Sequence, residues 1–428
     1  MGPEGGDHDG EDRLLPGGSK KVPRRERGLP QARLEEGGDG VRVKAGVDIL
    51  LRSPGEHLGG SKVGLITNPT GVTGDLVSTF DAFNGHPGVD LKAVFGPEHG
   101  ARGDIQDALS VESRVDAVTG LPVYSLYGDV RKPTPEMLEE VDTLVFDIQD
   151  VGARFYTYAS TLTHALEAAA ENGVSLAVLD RPNPVNGVDV EGNILEPGFA
   201  SFVGLHPIPI RHGLTIGELA RLANEGIGAE LQVVPMEGWE RGMWFDETGL
   251  PWVQPSPNLP TPDTATVYPG TCLFEGVNVS EGRGTTRPFE YIGAPWIDGA
   301  RWATALNGLG LGGVRFRACR FTPAFDKYHG EACGGVQVHV TDRDAYRPVE
   351  TVLHMLSTAL GLWPDEFQWL PPRDDGRRHF DLLAGTDEIR ADLSRGEAVE
   401  EIVDGWRDGL EAYEERSEEF LLYRTEGV

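Results

Sequence analysis

Glu98 is the residue of this sequence best placed for acid catalysis. It lies in Gly96-Pro97-Glu98-His99-Gly100, directly after the apolar run Leu91–Phe95. The flanking glycines permit a tight turn and close approach of a ligand. A carboxyl group in such a partly dry turn can have a raised pKa, which a general acid requires. The structural alternative for Glu98 is that it caps a following helix. For His99 three roles are open: it orients Glu98, it binds substrate, or it is an ordinary hydrogen-bonding residue of the loop.

Polar side chains also follow three other apolar runs that are predicted to be strands. Asn68 follows Lys62–Ile66, Asp150, Arg154 and Tyr156 follow Thr143–Ile148, and Asn183 follows Ser175–Leu179. Because the carboxyl ends of parallel strands meet at one edge of a sheet, these loops are expected to converge with the Glu98 loop on one cleft. Their side chains are therefore candidates for substrate binding.

Several of these candidates have a structural alternative. Asp150 and Arg154 have charges that suit an ion pair holding their own loop together. Tyr156 suits either the face of a sugar ring or the protein core. Asn183 lies in Asp180-Arg181-Pro182-Asn183, a composition that favours a turn whatever its function.

A second polar group follows further along the chain. Residues 254–260 form a proline-spaced loop that contains Asn258, and residues 278–290 form a glycine-rich loop that contains two carboxylates and two arginines. Arg283 or Arg287 would bind a substrate carboxylate with two hydrogen bonds. Glu281 or Glu290 is the candidate second catalytic carboxylate, opposite Glu98. Asn258 and Thr286 are further candidate contacts to the substrate.

Other reaction classes lack their sequence signals. The chain has no G-x-S-x-G elbow, no H-E-x-x-H pair and no Walker loop. Gly308–Gly313 matches G-x-G-x-x-G, but it precedes a predicted strand, whereas a dinucleotide fingerprint follows one. We therefore expect no metal and no cofactor, and a mechanism that uses paired carboxylates.

The elements that must position these residues alternate between strand and helix. Further strands are predicted at Leu231–Pro235, Gly313–Phe321 and Gly335–Thr341. A helix is predicted over Tyr158–Asn172, ended by Gly173, and another after Thr215, which forms a capping box with Glu218. Val399, Ile402, Val403, Trp406, Leu410 and Tyr413 recur at helical spacing. This alternation predicts an α/β fold with a mostly parallel sheet, followed by a smaller α+β domain.

Composition divides the 428 residues into three parts. Residues 1–40 contain ten Gly, four Pro and no aromatic residue, which predicts a disordered tail. Residues 41–265 are expected to form the catalytic domain and residues 266–428 the auxiliary domain, with the boundary near Pro260–Pro269. No apolar segment follows Arg24-Arg25, so we expect a cytoplasmic protein, with export the alternative if the true start differs.

The net charge bears on partners. Asp and Glu outnumber Lys and Arg by 68 to 38, which gives a formal charge of −30. Such a field repels nucleic acid and anionic membranes. The chain also lacks the run of roughly 20 apolar residues that a membrane span requires. We therefore expect neither a nucleic-acid partner nor membrane insertion. Three scattered cysteines fit a reducing compartment.

From about Gly46 to its end, the sequence resembles the exo-β-N-acetylmuramidase (NamZ-type) family. The matching blocks are Gly46–Asp48, Gly64–Asn68, Phe95–Gly100, Phe146–Tyr158, Asp180–Pro184, Pro255–Asn258, Tyr268–Gly270 and Glu281–Thr286. The resemblance implies a Rossmann-like N-terminal domain, a smaller C-terminal domain and an active-site cleft between them. It also implies hydrolysis of terminal, non-reducing β-linked N-acetylmuramic acid in peptidoglycan fragments, with Glu98 as the catalytic acid. The partner that it implies is a small carbohydrate substrate, a muramyl disaccharide or the end of a glycan chain.

Three mechanisms stay open at this point. A second carboxylate about 5–5.5 Å from Glu98 would give retention of configuration, and about 6.5–9.5 Å would give inversion. The 2-acetamido group of the substrate is a third possible nucleophile, steadied by Asp150 or Glu281. Two other functional classes are also open: a non-catalytic sugar- or muropeptide-binding protein, and an esterase or amidase, which the missing serine elbow disfavours.

Overall fold

The computed structural model describes residues 42–97, 100, 114–128 and 130–423. The predicted tail at residues 1–40 lies outside them, as do Glu98 and His99. The strands are β1 (Lys62–Thr67), β2 (Asp90–Gly96), β3 (Arg114–Val115), β4 (Pro122–Ser125), β5 (Thr143–Asp147), β6 (Ser175–Leu179), β7 (Leu231–Val234), β8 (Tyr291–Ala294), β9 (Val314–Phe321) and β10 (Cys333–Val340). All seven predicted strands are confirmed, with ends within two residues.

The described helices also follow the predicted pattern. They are α1 (Gly46–Arg52), α2 (Pro54–Leu58), α3 (Thr79–Gly85), α4 (Tyr158–Asn172), α5 (Ile216–Asn224), α6 (Pro262–Thr271), α7 (Gly299–Gly308), α8 (Pro348–Leu362), α9 (His379–Ala384), α10 (Glu388–Arg395), α11 (Val399–Asp404) and α12 (Arg407–Ser417). Gly173 ends α4 with φ +67°, and Thr215 and Glu218 close the capping box of α5. Short 3₁₀ segments occur at Pro135–Leu138, Pro197–Phe199, Phe245–Thr248 and Cys272–Gly276.

The large sheet has the strand order of a Rossmann fold. Its order is β3-β4-β2-β1-β5-β6-β7, and every pair except β3–β4 is parallel. Counted along the chain, the six parallel strands therefore run 3-2-1-4-5-6. The strand order reverses between β1 and β5, and their carboxyl ends diverge there.

Both faces of this sheet are buried because alternate side chains point to opposite sides. On β5, Val145 packs into a cluster with Leu50 of α1 and Phe83 of α3. Phe146, the next residue, joins a larger cluster that includes the apolar side of α4. This explains why the strand reads as a continuous apolar run, and it confirms the predicted α/β fold.

The C-terminal half contains a three-stranded antiparallel sheet of order β8-β10-β9, with α7 packed against it. Its Trp302 belongs to the same large apolar cluster as Phe146. The boundary predicted near Pro260–Pro269 coincides with α6, which packs on α8. The predicted helical stripe after Val399 forms α11 and α12. The domain limits themselves stay a prediction.

Candidate active site

The crevice at the strand-order reversal is filled by protein side chains. Arg181 donates from Nε to Asp147 Oδ1 (2.6 Å) and from Nη2 to Oδ2 (2.9 Å), and Thr79 also donates to Asp147. Asp147 is fully buried. Only about 20 Å³ of space is left beside Gln149 and Arg181. Nucleotides bind at this position in many Rossmann folds, but here a buried ion pair occupies it.

A cavity of about 550 Å³ lies elsewhere, and residues of both halves of the chain line it. The loop between β5 and α4 contributes Phe155, Tyr156, Thr157 and Tyr158. The remaining lining residues are Tyr127, Arg131, Phe202, Val203, Ser256, Leu259, Tyr268, Cys272, Glu275, Glu281, Arg283, Phe289, Asp326, Lys327, Leu370, Arg373, His379 and Leu383. A space of this size fits one or two sugar rings, which makes it the candidate active site.

Aromatic rings form one wall of this cavity. Tyr156 packs edge-to-face against Tyr158 (4.9 Å between ring centroids) and Tyr268 (5.7 Å). Tyr268 in turn packs edge-to-face against Phe155 (5.4 Å) and Phe289 (4.8 Å). Such interlocked rings hold one another in place. They give the wall the mixed apolar and hydroxyl character that suits a sugar.

Opposite charges cluster at the same cavity. Arg283 Nη2 lies 2.7 Å from Glu275 Oε1, and its Nε lies 3.4 Å from Glu281 Oε1. Lys327 Nζ donates to Glu281 Oε2 (2.9 Å). Glu281 is almost completely buried. One guanidinium thus bridges two carboxylates at the cavity.

Glu275 is ionised in this setting. Burial acts to raise its pKa, but the charge of Arg283 and hydrogen bonds from His379 and Arg283 outweigh burial and lower it to about 2. The third partner, His379 Nε2, lies 3.2 Å from Glu275 Oε2. Glu275 is therefore a stable anion at neutral pH, suited to stabilising positive charge rather than to donating a proton.

Arg373 sets the tautomer of His379. Its Nη2 lies 2.6 Å from His379 Nδ1. Because a guanidinium has no acceptor, Nδ1 must accept, and the proton of a neutral imidazole is then on Nε2, facing Glu275. A chain of hydrogen bonds therefore runs from Arg373 through His379 to Glu275 and Arg283.

The backbone around the charged cluster adopts sparsely populated conformations. Phe289 (φ +61°), Asp326 (φ +65°) and Tyr328 (φ +57°) are left-handed although none is glycine. Gly284 (φ +76°) comes so close to Phe325 that an added Cβ would lie 2.7 Å from its backbone nitrogen and oxygen. Strain of this kind is retained where the surroundings fix it, often at functional sites.

Three predicted site residues line the cavity: Tyr156, Glu281 and Arg283. Asn258 is buried between two lining residues, Ser256 and Leu259. Glu98 and His99 lie outside the described residues. The strand that precedes them ends close to the cavity, since Leu126 N–H donates to Gly96 C=O (2.8 Å) and the next residue, Tyr127, lines the cavity.

Four other predicted residues are buried and do not line the cavity: Asn68, Asp150, Arg154 and Asn183. Asn68 Oδ1 accepts from the Thr70 N–H (2.9 Å), and Asn183 Oδ1 accepts from the Val185 N–H (3.1 Å). Both therefore serve local turns. Asp150 Oδ2 accepts from the Gly152 N–H (2.7 Å) and lies 3.5 Å from His212 Nε2.

Arg154 forms no ion pair with Asp150, so the predicted alternative of an ion pair that holds their loop together is wrong. Its guanidinium donates to four carbonyl oxygens, those of Asn193 (2.8 Å), Ile208 (2.8 Å), Leu383 (3.1 Å) and Ala384 (2.7 Å). Burial lowers the pKa of Arg154 to about 9. Arg154 thus joins the two halves of the chain from the interior, and this geometry gives no support to its predicted substrate contact.

Thr286 and Arg287 point elsewhere. Thr286 is exposed and outside the lining of the 550 Å³ cavity. Arg287 pairs with Glu290 (3.2 Å) beside a separate depression of about 460 Å³. Of the two candidate second carboxylates, only Glu281 lines the main cavity. Glu290 lines the separate depression and accepts a hydrogen bond from Thr264 (2.9 Å).

Sequence reasoning missed Glu275, Lys327, Arg373 and His379, which all line the cavity. They are spread over more than a hundred residues of chain and belong to no recognisable motif. The one available signal was a charge inside an apolar run, Cys272-Leu-Phe-Glu-Gly-Val277. Such a charge is seldom buried without a partner.

Two features are absent from the described residues. No group of three or more His, Cys, Asp or Glu side chains in that part of the chain is arranged to hold a metal ion. None of its helices combines the length and apolar character that crossing a membrane demands.

Comparison with known proteins gives consistent matches over most of the chain. Residues 63–263 match the family model of the exo-β-N-acetylmuramidase NamZ N-terminal domain, and residues 266–423 match that of its C-terminal domain. The peptidoglycan β-N-acetylmuramidase NamZ of Bacillus subtilis (strain 168) is 51% identical over 384 residues, 89% of this chain and 92% of that protein.

Two crystal structures of DUF1343 family proteins from Bacteroides fragilis NCTC 9343 are also similar. One has a TM-score of 0.82 at 40% identity and covers 90% of this chain and 100% of its own. The other has a TM-score of 0.70 at 30% identity and covers 89% of this chain and 99% of its own.

Proposed function

Because the chain belongs to the NamZ exo-β-N-acetylmuramidase family, we propose that it is a glycoside hydrolase that releases terminal, non-reducing β-linked N-acetylmuramic acid from peptidoglycan fragments. The B. subtilis relative is named as a peptidoglycan β-N-acetylmuramidase, and it aligns with both halves of this chain. The 550 Å³ cavity, lined by both halves, is the proposed active site.

The observation that carries this proposal is the pair of carboxylates, Glu275 and Glu281, bridged by Arg283 beside an aromatic wall. Glycoside hydrolysis passes through a transition state with positive charge at the anomeric carbon, which a fixed carboxylate stabilises. Aromatic rings bind the apolar face of a sugar. Both requirements meet in the same cavity.

Glu98 is proposed as the acid that protonates the glycosidic oxygen. This role comes from the sequence and the family resemblance, and it is supported by the hydrogen bond of Gly96 to Leu126, the residue before the cavity-lining Tyr127. Glu281, with Glu275 beside it, is proposed as the second catalytic carboxylate. It acts at the anomeric carbon either directly or by orienting the 2-acetamido group of the substrate as the nucleophile. His99 is proposed to orient Glu98 or to contact the sugar.

A pair of chromogenic glycosides tests the reaction. Purified protein is incubated with the β-glycoside of N-acetylmuramic acid and with that of N-acetylglucosamine, and release of the chromophore is followed. We expect release from the muramic compound alone. Binding of the muramic compound without release would instead indicate a sugar-binding protein, and equal release from both would show that the muramic substituent is not recognised.

The Glu98→Gln variant tests the assigned acid. Loss of general acid catalysis should lower kcat by a factor of about 10² or more, because acid–base catalysis contributes about 10²–10⁴. Glu290→Gln is the matched control, since Glu290 lies outside the cavity lining. A Glu98→Gln variant with a near-normal rate would remove Glu98 from the mechanism.

For the compartment, we propose the cytoplasm, supported by three cysteines that form no disulfide. The proposed partner is the carbohydrate substrate. The strongly negative net charge argues against a nucleic-acid partner. Cell fractionation with an antibody to the chain tests the location, and recovery from the medium or envelope would contradict it.

A further inference from the structure

Two of the arginines at the cavity form no salt bridge with any carboxylate among the described residues. Arg283 and Lys327 face Glu275 and Glu281, as described above. Arg131 and Arg373 also line the cavity, yet neither forms an ion pair within the part of the chain that the structure describes. Both side chains are exposed to solvent. The cavity therefore presents two guanidinium groups whose charge is available to a ligand.

Each of these guanidinium groups is nevertheless held in position. The Arg131 guanidinium carbon lies 4.3 Å from the centroid of the Phe202 ring, a cation–π contact. Arg373 uses Nη2 to hold His379 Nδ1 (2.6 Å). In both cases one part of the group is fixed while other N–H donors stay available. Groups ordered before binding lose less entropy when a ligand arrives.

The segments that carry the two arginines both contact residues 200–202. Arg373 sits in a tight turn whose ends meet, since the Arg373 N–H donates to the Arg377 C=O (2.9 Å). Arg377 donates from Nη1 to the carbonyl of Ala200 (3.2 Å). Ala200 lies two residues before Phe202, the ring beneath Arg131. Residues 200–202 therefore contact both Arg131 and the turn that carries Arg373.

We propose that Arg373, together with Arg131, binds the carboxylate of the lactyl ether that distinguishes N-acetylmuramic acid from N-acetylglucosamine. This inference rests on the proposed function and deepens it. A guanidinium binds a carboxylate through two parallel hydrogen bonds and remains charged at every relevant pH. The assignment replaces Arg283, whose charge faces Glu275 and Glu281, and Arg287, which lies beside a different depression.

The same geometry explains a preference for the muramic sugar. An N-acetylglucosamine ring in the cavity would leave Arg131 and Arg373 without an anion, whereas the lactyl carboxylate supplies one. Because Arg373 also fixes His379 and through it Glu275, carboxylate binding occurs next to the proposed catalytic cluster. Arg373 is accordingly a specificity-determining residue that also positions His379.

The test compares three chromogenic β-glycosides: that of N-acetylmuramic acid, its lactyl carboxamide analogue and that of N-acetylglucosamine. The variants are Arg373→Gln and Arg131→Gln. Arg416→Gln is the matched control, because Arg416 pairs with Glu225 (2.8 Å) on the surface and does not line the cavity. Circular dichroism and thermal unfolding of each variant show whether it is folded.

We expect Arg373→Gln to lower kcat/KM for the muramic acid glycoside by about 10- to 100-fold, mainly through KM, as for a lost charge-assisted pair. The loss on the carboxamide analogue should be clearly smaller, because that analogue is affected only through the positioning of His379, so the preference for acid over amide collapses. Arg131→Gln should show the same pattern with a smaller factor, and Arg416→Gln should behave like the wild type.

Three outcomes would overturn the inference. Equal losses on the acid and the amide would show that Arg373 only positions His379. An unchanged preference for the acid in both variants would show that the carboxylate is read elsewhere. A wild-type protein that cleaves none of the three glycosides would overturn the proposed function itself, and that result differs from the first two because they require an active wild-type enzyme.

Discussion

Replacing Arg283 by Gln should destabilise the protein in a pH-dependent manner. Arg283 lies 2.7 Å from Glu275 and 3.4 Å from Glu281, and both carboxylates are largely or wholly removed from solvent. Gln keeps much of the side-chain volume but removes the charge. The variant would therefore leave two carboxylates at the cavity with only Lys327 and His379 as partners.

The magnitude follows from the pKa of Glu275, which falls from its ordinary value of 4.5 to about 2 in the folded protein. At about 1.4 kcal/mol per pH unit, this corresponds to about 3 kcal/mol of stability. A carboxyl group with a lowered folded pKa contributes that stability fully above 4.5 and loses it as the pH falls toward 2. Since burial opposes the shift and Arg283 is its main electrostatic source, we expect a loss of about 2–4 kcal/mol in the free energy of unfolding at neutral pH.

Urea denaturation at about pH 7 and about pH 3.5 measures this loss. At the lower pH the difference between variant and wild type should shrink by about 1 kcal/mol. The control Arg416→Gln breaks an exposed pair with Glu225, and its effect should stay below about 0.5 kcal/mol at either pH. A loss for Arg283→Gln below about 1 kcal/mol, or one that is equal at both pH values, would refute this account of the cluster.

Three further substitutions test the supports around the site. Arg154→Gln should lower the free energy of unfolding by about 3 kcal/mol or more, because the buried carbonyls of Asn193 and Ala384 lose their donor. A smaller loss in urea denaturation would mean that water replaces the guanidinium. Thr215→Ala should cost about 1–2 kcal/mol, since the side chain both caps α5 and donates to Asp180; an unchanged urea midpoint would contradict that. Gly284→Ala should cost about 1–3 kcal/mol and reduce kcat/KM on the muramic glycoside, because its Cβ would meet the Phe325 backbone at a positive φ; full activity would show that the loop tolerates the shift.

The parallel sheet was predictable because its signals are local. Thr143–Asp147 is buried on both faces, so it reads as an unbroken apolar run bounded by polar loops. Gly173 and the Thr215–Glu218 capping box mark helix ends within a few residues of the signal itself. Such patterns depend on short stretches of chain, and the structure confirms them.

The site was only partly predictable because its partners are distant in sequence. Glu281 and Arg283 share one glycine-rich loop and both line the cavity, whereas Arg154, also from a polar loop, points into the interior. Its acceptors, among them the carbonyls of Asn193 and Ala384, are backbone groups that no residue type reveals. His379 likewise reaches Glu275 only through the tertiary fold.

The most direct test of the proposed exo-muramidase activity uses two β-linked disaccharides that contain the same two sugars in opposite order. In one, N-acetylmuramic acid is at the non-reducing end and N-acetylglucosamine at the reducing end; in the other the order is reversed. Products are identified by mass spectrometry after incubation with the full chain. We expect free N-acetylmuramic acid from the first disaccharide and no cleavage of the second. Cleavage of the second disaccharide, or of neither, would contradict the proposed activity.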